Sequence, residues 1–150
     1  MPAYLVHASR GLAAGEVWPN EYGIDLSRGF RALKVWMAFR AHGAEAFGRL
    51  MDQTMAQARY LADLVDAHPD LERMAPVGCD IVCLRYAPAH LSPDRVGAVN
   101  RELVLRIHES GVAVVSETTL RGHLVIRAAI GNHRTRRDDI DLFVETLLRL

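Results

Sequence analysis

Residues 27–43 run Ser27-Arg28-Gly29-Phe30-Arg31-Ala32-Leu33-Lys34-Val35-Trp36-Met37-Ala38-Phe39-Arg40-Ala41-His42-Gly43. How this stretch is read decides how the rest of the chain is arranged. Its spacing predicts a helix, but Phe30, Leu33, Val35, Trp36, Met37 and Phe39 fall on more than one side of it. A helix that is apolar around most of its circumference is expected between two partners. Ser27 suits the N-cap, since its hydroxyl can accept a free amide proton of the first turn. Gly43 suits the residue just past the end, where a left-handed backbone costs glycine little.

Working outward, residues 44–67 give a clearer helix. Phe47, Met51, Met55, Ala58, Leu61, Ala62 and Val65 recur at intervals of three and four, one stripe along a rod of about 35 Å. The methionines in it read as packing. His68-Pro69 closes the segment, because proline disfavours helical geometry in the residue before it. From Asp70 the period changes. Leu71–Val77 is a candidate strand, Gly78-Cys79-Asp80 turns the chain, and Ile81–Tyr86 is a strand of β-preferring residues. Ser92-Pro93 offers an N-cap with proline at N1, opening a helix through Val96, Val99, Leu103 and Ile107 that ends at Gly111. Val112–Thr118 and His123–Ile130 are two further strands. Thr135-Arg136-Arg137-Asp138 resembles a capping box before a last helix with Ile140, Phe143, Val144, Leu147 and Leu148 on one side.

The expected architecture is therefore α+β: two helices, then a β-β-α-β-β-α unit with a largely antiparallel four-stranded sheet and helices on one face. Residues 1–26 read as an irregular segment broken by Gly11, Gly15 and Pro19. Residues 27–150 read as one α+β domain, with a helical part at 27–67 and a sheet part at 70–150.

Composition narrows the function classes. At 150 residues, 50% hydrophobic and 24% charged, the chain suits a globular domain with a real core. Zero net formal charge argues against a nucleic-acid surface. No apolar run approaches the roughly 20 residues that a membrane helix needs, and the first residues lack the basic and long apolar regions of a signal peptide. Cys79 and Cys83, four apart on an expected strand, share a face but sit too far apart to bond easily. They read as reduced thiols of a cytoplasmic protein. The seven histidines show no ligand spacing, so no metal site is expected. No phosphate-cradling glycine loop, His-Glu-x-x-His motif or nucleophile elbow is present.

An ordered set of blocks carries a resemblance. Tyr22-Gly23-Ile24-Asp25-Leu26-Ser27-Arg28-Gly29-Phe30-Arg31-Ala32-Leu33-Lys34-Val35-Trp36 comes first, followed by Ile81-Val82-Cys83-Leu84-Arg85-Tyr86 and Val115-Ser116-Glu117-Thr118. Leu124-Val125-Ile126-Arg127-Ala128-Ala129-Ile130 and Asn132-His133-Arg134-Thr135 complete it. Together they resemble the C-terminal domain of the group II pyridoxal-phosphate-dependent amino-acid decarboxylases, which include the aromatic-amino-acid, tyrosine and histidine enzymes. The resemblance implies the small C-terminal domain of a fold-type-I enzyme and a parent chemistry that removes the α-carboxyl of an amino acid to leave an amine.

It also implies pyridoxal 5'-phosphate as the parent cofactor, held by a Schiff-base lysine. The sole lysine, Lys34, does not match that position, so covalent binding by this chain is not expected. In the family the segment matching residues 1–20 is a mobile loop. Tyr4 matches the loop tyrosine that protonates the carbanion carbon, a task that suits a weakly acidic phenol; it could equally be an ordinary exposed aromatic. Arg127 matches an arginine that holds a substrate carboxylate; the competing reading is a strand-end arginine paired with an Asp or Glu. Arg28 reads better as a structural ion-pair residue.

The expected activity is thus that of a decarboxylase domain, silent alone. The alternatives are a non-catalytic dimerisation or small-molecule-binding module and a subunit that completes an active site in trans with a separate large-domain chain. The apolar helix at 27–43 predicts a homodimer or higher self-association.

Overall fold

The second half of the stripe read in residues 44–67, Ala58, Leu61, Ala62 and Val65, buries as one face, whereas Met51 is exposed and Phe47 and Met55 are half-buried. In the computed structural model, helix α2 (Ala44–Ala67) covers Thr54, Gln57, Ala58, Leu61, Ala62 and Val65, the spacing expected when one side of a helix meets a core. Residues 7, 9, 14, 15, 17–23 and 29–150 are described. They divide into two units, Met1–Gly43 and Ala44–Leu150.

In the first unit, a single 3-10 turn (Pro19–Tyr22) precedes helix α1 (Arg31–His42). The helix starts later than the residue-27 expectation. Gly29 and Phe30 are non-helical, and the carbonyl of Gly29 accepts from Arg31 N–H at 2.8 Å. Glycine loses more backbone freedom than other residues on becoming helical, so a start beyond it is physically reasonable. The N-cap expectation at Ser27, like the roles suggested for Tyr4 and Arg28, lies outside the described residues. Gly43 ends α1 at φ +76°, its N–H donating to Phe39 O at 2.9 Å. None of the α1 residues is buried.

The second unit holds β1 (Leu71–Arg73), β2 (Ile81–Tyr86), α3 (Pro93–Ser110), β3 (Ser116–Leu120), β4 (His123–Ala129) and α4 (Arg137–Arg149). The strands form one antiparallel sheet in the order β1-β2-β4-β3. Val82 and Leu84 lie opposite Ala128 and Ile126. These four join the buried side chains of α2, α3 and α4, among them Leu61, Ile107, Phe143 and Leu147, in one core. The expected α+β sheet with helices on one face is therefore what forms.

Local details correct the expectations. Strand β1 ends at Arg73 rather than Val77; one further bond, Met74 N–H to Cys83 O at 2.8 Å, closes the pairing before Pro76, which has no N–H to give. Strand β3 begins at Ser116 rather than Val112. The carbonyl of Val115 is instead bonded to His108 Nε2 of α3 at 2.7 Å, so Val112–Val115 is a connection braced by a side chain. Cys79 is exposed and precedes the strand, while Cys83 is in it. Ser92 has the extended N-cap backbone but no side-chain capping bond. The last helix is capped one residue later than expected, Arg136 N–H donating to the Asp139 carboxylate at 2.8 Å.

One residue that patterning gave no reason to notice locks α3 to the sheet. Asn100 is fully buried. Its Oδ1 accepts from Tyr86 N–H at 2.7 Å, and its Nδ2 donates to Tyr86 O and Val96 O, both at 2.8 Å. The N–H and carbonyl of Tyr86, beyond the last β2–β4 pair, find their partner in this side chain.

Candidate functional site

Alternation along a strand sends neighbouring side chains to opposite faces. With Ile126 and Ala128 in the core, Arg127 must point to the face away from the helices. Cys83 of β2 and Ser116 of β3 are its direct cross-strand neighbours, so all three share that face. Arg127 and Cys83 are half-buried and Ser116 is exposed.

The electrostatics of this face are uneven. Arg85 Nε donates to Glu72 Oε2 at 2.6 Å, and the two lie opposite each other across β1 and β2, so their charges offset. Arg127 has no such partner: no ion pair or side-chain hydrogen bond among the described residues involves its guanidinium, whereas Arg49, Arg73, Arg85, Arg101 and Arg106 each meet an acid. The reading of Arg127 as one half of an internal ion pair therefore has no described Asp or Glu to support it. A guanidinium cannot shed its proton and presents its donors in a fixed fork. Half-buried and unpaired, it is disposed to take a carboxylate bidentately. Burial pushes the Cys83 thiol up, and the charge of Arg127 pulls it partly back, so the thiol stays protonated and inert beside the cation.

Tyr4 and Arg28, the other residues that the resemblance singles out, lie outside the described residues. Lys34 is exposed on α1, a helix with no buried residue. A pyridoxal-type aldehyde needs an amine set in a walled pocket, with donors for its phosphate and a partner for its ring. Lys34 has no such wall on its own helix, so the described residues do not fit a resident, lysine-bound cofactor.

A separate groove of about 440 Å³ opens on the helix side of the sheet, floored by Leu61, Val115, Ile130, Ile140 and Phe143 and rimmed by Arg134. It is on the opposite face from Arg127. Among the described residues no group of three metal-ligating side chains gathers, and no helix is long and apolar enough to cross a membrane.

Sequence and structure comparisons give this geometry its context. The family model described as "Pyridoxal-dependent decarboxylase conserved domain" matches residues 1–87. An aromatic-L-amino-acid decarboxylase of Bacillus atrophaeus is 36% identical over 141 residues, 93% of this chain and 29% of the relative. Tyrosine decarboxylase 4 of Petroselinum crispum is 35% identical over 120 residues, 77% of this chain and 24% of that protein. Among solved structures, Oryza sativa TDC with PLP and tryptamine superposes with a TM-score of 0.77 at 27% identity, covering 84% of this chain and 27% of that one. Rhodiola rosea 4-hydroxyphenylacetaldehyde synthase gives 0.76 at 28% identity, with the same coverage. The chain thus spans under a third of the length of these relatives. With most of its residues matched by one family model and the sheet-and-helix arrangement found again in solved members, the chain belongs to the pyridoxal-dependent decarboxylase family.

Proposed function

We propose that this chain serves the removal of the α-carboxyl group from an amino acid by contributing substrate contacts, with the cofactor carried on a lysine other than its own. Arg127 is the carboxylate anchor. Tyr4 is the proton donor, three residues before His7 on the N-terminal segment. A carboxylate held by two parallel N–H bonds is fixed in orientation as well as position, and a phenol can deliver a proton without forming a competing ion pair. The observation that carries the reading is the guanidinium of Arg127, half-buried and without an acid among the described residues.

On this reading the chain alone is silent, and activity requires a second body that holds pyridoxal phosphate. Two thiols left free suit the reducing cytoplasm. The exposed apolar residues of α1, including Val35, Trp36 and Met37 at 58%, 60% and 55%, favour assembly with another copy or a large-domain chain.

The test is complementation. The chain is mixed with a separate, cofactor-loaded large-domain chain of the family, and amine formation from aromatic amino acids is followed. Amine should appear only in the mixture. Arg127→Gln should raise KM about tenfold to a hundredfold, the loss expected for hydrogen bonds to a charged group. Amine formation unaffected by Arg127→Gln would remove Arg127 from the role.

A further inference from the structure

The groove on the helix side of the sheet has a fixed rim. Its volume of about 440 Å³ falls within the roughly 300–1,000 Å³ usual for small-molecule sites. On one side runs the Val112–Val115 connection, tied at both ends. Val112 N–H donates to Ser110 Oγ at 3.3 Å, and His108 Nε2 donates to the carbonyl of Val115 at 2.7 Å. On the other side runs the loop before α4. Asn132 turns it, its Oδ1 accepting from Arg134 N–H at 3.0 Å and its carbonyl from Thr135 N–H at 3.1 Å, a local bond that asparagine makes readily. From below, Gln57 of α2, 7% exposed, donates to the carbonyl of Thr135. Both walls are in place before any ligand arrives, so binding has little left to order.

Two charges stand unpaired on this rim. Arg134 and Asp139 both line the groove, and both are exposed. Among the described residues neither enters an ion pair, with the other or with a third group. Asp139 Oδ2 accepts from Arg136 N–H at 2.8 Å, which leaves the second carboxylate oxygen to a ligand. Below them the floor is apolar. A cation, an anion and an apolar bed complement a ligand with an anion, a cation and an apolar body. Only a free amino acid carries carboxylate and ammonium on the carbon that bears its side chain; a peptide has them at opposite ends.

We infer that this groove is a second small-molecule site, taking a free α-amino acid with a large apolar side chain. Arg134 holds its carboxylate, Asp139 holds its ammonium, and the side chain lies over Ile130, Ile140 and Phe143. The site is on the opposite face of the sheet from Arg127 and stands whether or not Arg127 anchors a substrate. Where the proposed decarboxylation holds, it lets the same class of molecule bind away from the reaction.

The test titrates the full chain, methyl-labelled at Leu, Val and Ile, with L-phenylalanine and follows the methyl NMR signals. Those of Val115, Ile130 and Ile140 should move together and saturate with a dissociation constant on the order of 1 mM. Strand alternation puts Ile81 and Val125 on the Arg127 face, so they report on that site separately. Movement confined to Ile81 and Val125, or none at any methyl by about 20 mM, would overturn the groove as a site. Phenethylamine, which lacks the carboxylate, and 3-phenylpropionate, which lacks the ammonium, should each bind about fivefold more weakly, the upper range for an exposed ion pair. Arg134→Gln should remove the advantage of phenylalanine over phenethylamine. Asp139→Asn, which keeps an acceptor for Arg136 N–H, should remove its advantage over 3-phenylpropionate. Arg127→Gln should change neither. Equal binding of the three ligands by the unaltered chain, or an undiminished preference for phenylalanine over phenethylamine in Arg134→Gln, would overturn the assignment of the charges.

Discussion

Helices α1 and α2 are separated by one residue, Gly43, and both carry many apolar side chains, yet only α2 has a buried face. In α2 the apolar and small residues from Ala58 to Val65 repeat at three and four, so one core contact covers them together. In α1 they are spread around the axis, and covering any one group leaves another in water. Among the described residues none covers α1 enough to bury it, Trp36 being 60% and Val35 58% exposed. Apolar content therefore forecasts a helix in both places, but only its angular distribution forecasts that a core of the chain's own making holds it. α2 is a stabilising element, and on the reading proposed above α1 is an assembling one.

The largest effect that would break this contrast is a core truncation. Leu61→Ala on α2 removes a side chain that is 2% exposed and should cost about 3 kcal/mol in denaturant unfolding. Trp36→Ser on α1 should change the same midpoint by less than about 0.5 kcal/mol while shifting sedimentation towards the monomer. If Trp36→Ser proved as costly as Leu61→Ala, the two helices would not differ as described.

Next comes the polar lock between α3 and the sheet. Asn100→Ala leaves the N–H and carbonyl of Tyr86 buried without their partner, and about 2 kcal/mol should be lost. A loss near zero would mean that other groups satisfy them.

The smallest expected effect sharpens the contrast from the α2 side. Tyr60 donates to Asp141 at 2.6 Å, joining α2 to α4, and that bond holds its phenol pKa above the usual 10. The contribution should be complete below pH 10 and fade as pH rises through the raised value, because ionised tyrosine cannot donate. Tyr60→Phe should lack this alkaline fade in a pH series of melting temperatures; an identical fade in both proteins would assign it elsewhere.

Much of the fold was legible in the sequence. The segment Ile81–Tyr86 is strongly β-preferring, and β2 occupies those residues. The stripe of α2, the Pro93 start of α3 and its end before Gly111 were equally open to reading. Val112–Val115 was not, because its apolar side chains answer to the core and the groove, while its backbone is held by His108. The edge strand β3 proved to be the more polar Ser116–Leu120, a composition that pattern reading passes over. For the candidate site, strand periodicity alone sends Arg127 away from Ile126 and Ala128. The lack of an acidic neighbour in the described structure depends on register with Cys83 and Ser116, and no spacing rule reveals that. Asn100 was likewise invisible, since its contacts join residues that carry no recurrent motif.

The central claim is that this chain offers substrate contacts to a decarboxylation whose cofactor is anchored on a different lysine. The most direct test supplies the purified chain with pyridoxal phosphate and carboxyl-labelled aromatic amino acids, and measures labelled carbon dioxide. The account predicts release no faster than from pyridoxal phosphate without protein. Catalytic release by the chain alone, abolished by Lys34→Arg, would contradict it.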